Sequence, residues 1–147
     1  MFDPKKEVPS LELCKQLKKL GFPQDGGGWY WIKLITWEKP QLVYSGCAEF
    51  EKLANLSEKE YFIKAPTFIE LWKYLPKKIK TPKGKYANLI IKKISNVLQI
   101  EYDTYTWDYP NCYIKSIYPS ELDSICKMCI WLREKGYIKF NKEAKDA

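Results

Sequence analysis

The chain has no histidine, and only one of its 25 basic residues, Arg133, is an arginine. The first absence removes imidazole chemistry: there is no His general base, no Ser-His-Asp or Cys-His nucleophile and no imidazole metal ligand. An enzyme built on this sequence would need carboxylate, lysine, tyrosine or thiolate chemistry. The second weighs against base-specific reading of nucleic acid, which relies on the bidentate guanidinium fork. No apolar run nears the ~18 residues of a membrane span, and the opening segment MFDPKKEVPS has no signal-peptide core. The five cysteines are odd in number and lack a framework spacing, so reduced thiols in a cytosol are expected.

What is present points to a packed globular protein. Hydrophobic residues make up 46% of the 147 positions and aromatics 16%, too many for a disordered chain. The length fits one domain over 1–147, with 1–9 and 141–147 as flexible ends. The net charge of +7 comes from lysine. An A/T-rich genome would produce the same excess, but a basic surface steers anionic partners whatever its origin.

The clearest local grammar is APTFIELWKYLP, residues 65–76. Thr67 and Glu70 have capping-box spacing. Phe68, Leu71, Trp72 and Leu75 follow at i, i+3, i+4 and i+7, a buried helical stripe between Pro66 and Pro76. A first helix runs from a Ser10 cap to Leu20, with Leu13, Cys14, Leu17 and Leu20 on its apolar face, and stops at Gly21. A last helix starts at a Ser120 cap, buries Leu122, Ile125, Cys126, Cys129 and Leu132, and stops at Gly136. Strands are predicted over 29–37, 41–45, 61–64 and 112–117, with a hairpin of 86–94 and 97–107 closed at Ser95-Asn96. Residues 46–59 read as an irregular loop with one helical turn, 77–85 as a lysine-rich loop, and 137–140 as a further short strand. The fold class is α+β: an antiparallel sheet of about five strands packed with three helices.

In the 86–107 hairpin, Leu89, Ile91, Leu98, Ile100 and Tyr102 share one face, and Lys92, Gln99, Glu101 and Asp103 the other. Cys126 and Cys129 form a C-x-x-C, but it lies on the apolar stripe of a helix, where cysteine acts as a small hydrophobe. Zinc would also need Cys14, Cys47 or Cys112 to converge on it. Gly26-Gly27-Gly28 precedes a strand, not a helix, so both phosphate-loop patterns fail and a loose turn remains. Glu49, Glu51, Glu101, Asp103, Asp108 and Asp123 form no recognisable pair and read as solvated. No metal, cofactor or catalytic set is assigned.

The candidate ligand site is 102–113, YDTYTWDYPNCY. An extended chain there would set Tyr105, Trp107 and Tyr109 on one face, as a stacking surface for a nucleobase. Asp103 or Asp108 could accept from a base edge, and Lys83 or Lys85 could meet a phosphate. The competing reading is that these rings pack on a helix.

With VPSLELCKQLKKLGFPQ, WYW, IKAPTFIELWKYLP and IWLREKGYI, the chain resembles a family of small uncharacterised proteins carried by phages, prophages and other mobile elements of bacteria. The resemblance implies a soluble protein of the bacterial cytoplasm with an accessory role. It transfers no catalytic residue. Three functions follow as expectations: a non-enzymatic binder, in oligomeric form, that sequesters a nucleotide signal of host defence; an inhibitor or adaptor of a host protein; and a nucleic-acid-binding accessory protein.

Overall fold

The helix announced by the capping box sets the frame. In a computed structural model, Thr67 Oγ1 accepts from the Glu70 amide, and Glu70 Oε1 accepts from the Thr67 amide at 3.3 Å. The structure describes residues 4–140 except 96, 107, 108 and 119, and only the backbone of 105, 106 and 109–111. The capped helix, α3 (Phe68–Trp72), is shorter than its stripe, because the chain leaves it before Leu75. Leu71 and Leu75 are buried as predicted, whereas Trp72 lies at the surface, stacked on Phe68.

Among the described residues the fold is α+β, with four α-helices and two antiparallel sheets of three and four strands. The class matches the sequence reading, but there are seven strands where about five were expected, and four helices in place of three. The smaller sheet has β1 (Trp29–Leu34) between β2 (Gln41–Tyr44) and β3 (Lys59–Ala65). β1 ends earlier than predicted: a register shift at Lys33/Leu34 takes the chain off the ladder, and Ile35 points to solvent. Alternation puts Trp29 and Trp31 on one face, opposite Ala65 and Ile63. That face meets α1 (Leu11–Lys19), where Cys14 and Val8 complete a small core. On the other face Tyr30 stacks with Phe62 and is joined by Phe50 of α2 (Phe50–Asn55), the helical turn within 46–59.

The larger sheet is a meander of β4 (Lys78–Lys80), β5 (Tyr86–Ile94), β6 (Val97–Thr106) and β7 (Tyr109–Ile117). Part of the expected lysine loop is therefore an edge strand, whose only buried residue is Ile79. The β5–β6 hairpin closes where predicted: Ile94 faces Val97, and Ser95 adopts φ 49° in the turn. Its two faces also divide as predicted. Ile100 and Tyr102 are fully buried beneath α4 (Glu121–Glu134), together with Leu71, Ile125, Cys126, Cys129 and Leu132. Each such Leu or Ile contributes roughly 1.5–3 kcal/mol through removal from water. α1 adds Leu13 and Leu17 to this core while giving Cys14 to the smaller one.

The strand expected at 137–140 does not form. Gly136, at φ 82°, turns the chain back on α4, and the Tyr137 amide bonds Leu132 O at 2.9 Å. Tyr137 then stacks on Trp131, and Phe140 plugs the core against Phe22 and Tyr74.

Candidate functional site

The polar face of β6 carries an arrangement that the sequence reading did not find. β6 alternation turns Glu101 and Asp103 away from α4, and β7 brings Cys112 opposite Asp103. A register shift at Tyr102/Asp103 makes that pairing: Tyr102 faces Ile114 while Asp103 faces Cys112, leaving Tyr113 as the extra residue. The donor atoms of Glu101, Asp103 and Cys112 all lie within 4.8 Å of one another. Glu101 and Asp103 are each only 3% exposed. The expectation that these carboxylates are solvated and unpaired is thus corrected. A cross-strand register, invisible in a linear pattern, brings them together with a thiol.

The cluster is electrostatically uneven. Lys92 Nζ lies 2.8 Å from Glu101 Oε1, and Gln99 Nε2 donates to the same oxygen at 3.1 Å. Among the described residues, Asp103 Oδ1 is buried with no hydrogen-bond partner. Burial, then the neighbouring Glu101, pushes the Asp103 carboxyl up to about 6. Burial also opposes ionisation of Glu101, but hydrogen bonds from Lys92, Asp103 and Cys112 outweigh it and hold Glu101 below the usual carboxylate range. Burial and Glu101 raise the Cys112 thiol.

Beside this cluster is a cleft. In an antiparallel meander alternate turns fall at the same end, so the β4–β5 turn and the β6–β7 reversal are neighbours. The β4–β5 turn is fixed by the Thr81 amide donating to Lys85 O at 2.7 Å, with Gly84 at φ 85°. It presents Lys83 and Lys85 to a cleft of about 390 Å³, lined also by Pro82, Thr104, Cys112 and Tyr113.

Of the predicted site residues, Lys83 and Lys85 come to this cleft, at the root of the β6–β7 hairpin. The side chains of Tyr105, Trp107, Asp108 and Tyr109 lie outside the described residues. One premise does change. Thr106 pairs with Tyr109, so the chain reverses between them and 105–109 is not one extended run. Asp103, the other suggested base-edge acceptor, faces the carboxylate cluster and is closed to solvent.

The glycine-rich turn is tied down where a loose loop was expected. Tyr30 Oη donates to Gly26 O, the Gly28 amide donates to Ser45 Oγ at 2.8 Å, and Lys64 Nζ donates to Gly27 O. Lys64 is 3% exposed, 3.3 Å from Glu70 and over the Tyr30 ring. A second cleft, of about 350 Å³, opens here between Phe22, Asp25, Lys64, Glu70 and Lys73. Its buried ammonium is already matched by Glu70 and Gly27, so this network holds the loop. Cys126 and Cys129 are fully buried in the large core, as the packing reading expected. Burial pushes the Cys129 thiol up to about 12, which removes thiolate reactivity there.

No protein-family model, curated protein or solved structure matches the chain. None of these comparisons links the chain to the phage-borne family expected from its sequence segments. No described helix is long and apolar enough to cross a membrane.

Proposed function

We propose that the protein binds, without turning over, an anionic ring-bearing small molecule, most concretely a nucleotide, at the end of the four-stranded sheet. The observation that carries this reading is that Lys83 and Lys85 line one cleft at the root of the hairpin bearing Tyr105, Trp107 and Tyr109. Its volume of about 390 Å³ falls in the roughly 300–1,000 Å³ range of small-ligand sites. The lysines supply point charges for phosphate, and the hairpin rings supply stacking surfaces. In this reading the protein sequesters a nucleotide signal of host defence in the bacterial cytoplasm, the accessory role implied by the sequence resemblance. A second reading, docking of a host protein, is favoured by Tyr86, Ile94 and Ile117, which leave apolar surface on or beside the outer face of the same sheet.

Thermal unfolding with a panel of cyclic nucleotides, nucleoside phosphates and ADP-ribose tests the proposal. A ligand at 100-fold its dissociation constant adds about 2.7 kcal/mol to stability. The expected result is a raised midpoint with at least one nucleotide, lost in Lys83→Ala/Lys85→Ala and in Trp107→Ala. Failure of every nucleotide at millimolar concentration, or an undiminished shift in the lysine variant, would overturn it.

A further inference from the structure

We propose that Glu101, Asp103 and Cys112 form a binding site for one divalent transition-metal ion of the zinc type, held by two carboxylate oxygens and a thiolate. Geometry comes first. A tetrahedral ion with bonds of about 2.0–2.3 Å sets its ligand atoms about 3.3–3.5 Å apart. The three donors already lie within 4.8 Å of one another, on adjacent strands of one sheet. Binding would draw these donors together by side-chain rotation.

The second observation is Asp103 itself. Its Oδ1 is buried and, among the described residues, accepts no hydrogen bond, while the same carboxylate places an oxygen in the cluster. An acceptor left so costs about 1–3 kcal/mol. The two carboxyl groups packed side by side are held together by a shared proton, whose place a cation can take, and the Lys92 ion pair is with Glu101. Lys92 is half exposed, so it can swing to solvent when a dication takes its place. Cys112 also lines the lysine cleft, which gives the ion an entry path and leaves a fourth position for water or an anionic group.

The donor set decides the class of metal. Magnesium and calcium prefer all-oxygen shells, while a thiolate beside carboxylates suits zinc or cobalt(II). Binding is an exchange of ion for proton: Cys112 forms a metal–sulfur bond as its S–H proton passes to solvent, with no change of oxidation state. The inference is independent of nucleotide binding and is tested without nucleotide.

The test is cobalt(II) titration of the full chain after chelator treatment. The expected result is one ion per chain, a thiolate-to-cobalt charge-transfer band, its displacement by zinc, and release of protons. Cys112→Ser should abolish the band, and Asp103→Asn should weaken binding by roughly tenfold or more. Cys47→Ser, at the other exposed cysteine, should leave both unchanged. If Cys112→Ser does not fold, alkylation of the wild-type protein keeps the proposal exposed to test: zinc should protect Cys112 and not Cys47. The absence of a band at stoichiometric cobalt, its survival in Cys112→Ser, wild-type affinity in Asp103→Asn, or equal alkylation with and without zinc would each overturn it.

Discussion

Glu70 holds two parts of the molecule at once, and removing it should separate their contributions. Its Oε1 closes the capping box at the Thr67 amide, and its Oε2 lies 3.3 Å from Lys64 Nζ. Lys64 is nearly closed to water, so deleting Glu70 strands an ammonium that keeps only Gly27 O and the Tyr30 ring. Breaking a fully buried pair costs about 3–5 kcal/mol. The Glu70 side chain is 34% exposed, so solvent screens part of this and about 1.5–3 kcal/mol is expected. The capping arm adds about 0.5–1 kcal/mol. Glu70→Ala should therefore lose about 2–4 kcal/mol, and Glu70→Gln, which keeps an acceptor for the cap, about 0.5–1 kcal/mol less than that. Urea unfolding at constant m-value measures both. Lys64→Met in each background completes a double-mutant cycle with a favourable coupling. Stability of Glu70→Gln within about 0.3 kcal/mol of wild type, or zero coupling to Lys64, would show that the ion pair contributes nothing and refute the reasoning.

Two further outcomes are expected. Tyr102→Phe removes the bond from Tyr102 Oη to Pro76 O at 2.7 Å, which ties β6 to the connection between α3 and β4. It should lower the melting midpoint by about 2–8 °C, and a drop under about 1 °C would deny that bond a structural role. In metal-free protein, Asp103→Asn should match wild type near pH 4 and become more stable than it as pH rises. The Asp103 carboxyl is raised to about 6, so folding takes up a proton, and the stability this confers is lost as pH climbs through that value. The gain near pH 8, read from chelator-treated melting curves, should be about 1 kcal/mol after allowance for nearby solvent and Lys92; destabilisation there would contradict the assignment.

How much of this could be read from the sequence depended on how locally each feature is encoded. The capping box occupies four consecutive residues, and the two faces of the 86–107 hairpin follow from period-two alternation, so both were legible. β4 was not, because a three-residue edge strand with lysines on either side of Ile79 looks like a loop until β5 pairs with it. The strand expected at 137–140 failed because Gly136 turns the chain onto α4 and its rings find partners there. The carboxylate–thiol cluster was half legible. Glu101 and Asp103 share a face by spacing alone, but Cys112 joins them only through the register shift at Tyr102/Asp103. The reversal between Thr106 and Tyr109 was missed because Thr-Trp-Asp-Tyr carries no glycine or Asn-Gly turn signal.

The position of α4 has a consequence for how the protein is made. The meander precedes α4 in the chain, so Ile100 and Tyr102 leave the ribosome before the helix that covers them exists. α1 waits longer still: the Ser10 amide finds the Asp123 carboxylate across 113 residues, and Leu17 finds its larger core only once that helix is present. Contacts of such sequence separation slow folding and lengthen the time that a nascent apolar face stays wet. The two ends of the described chain close the molecule last, and they close it together.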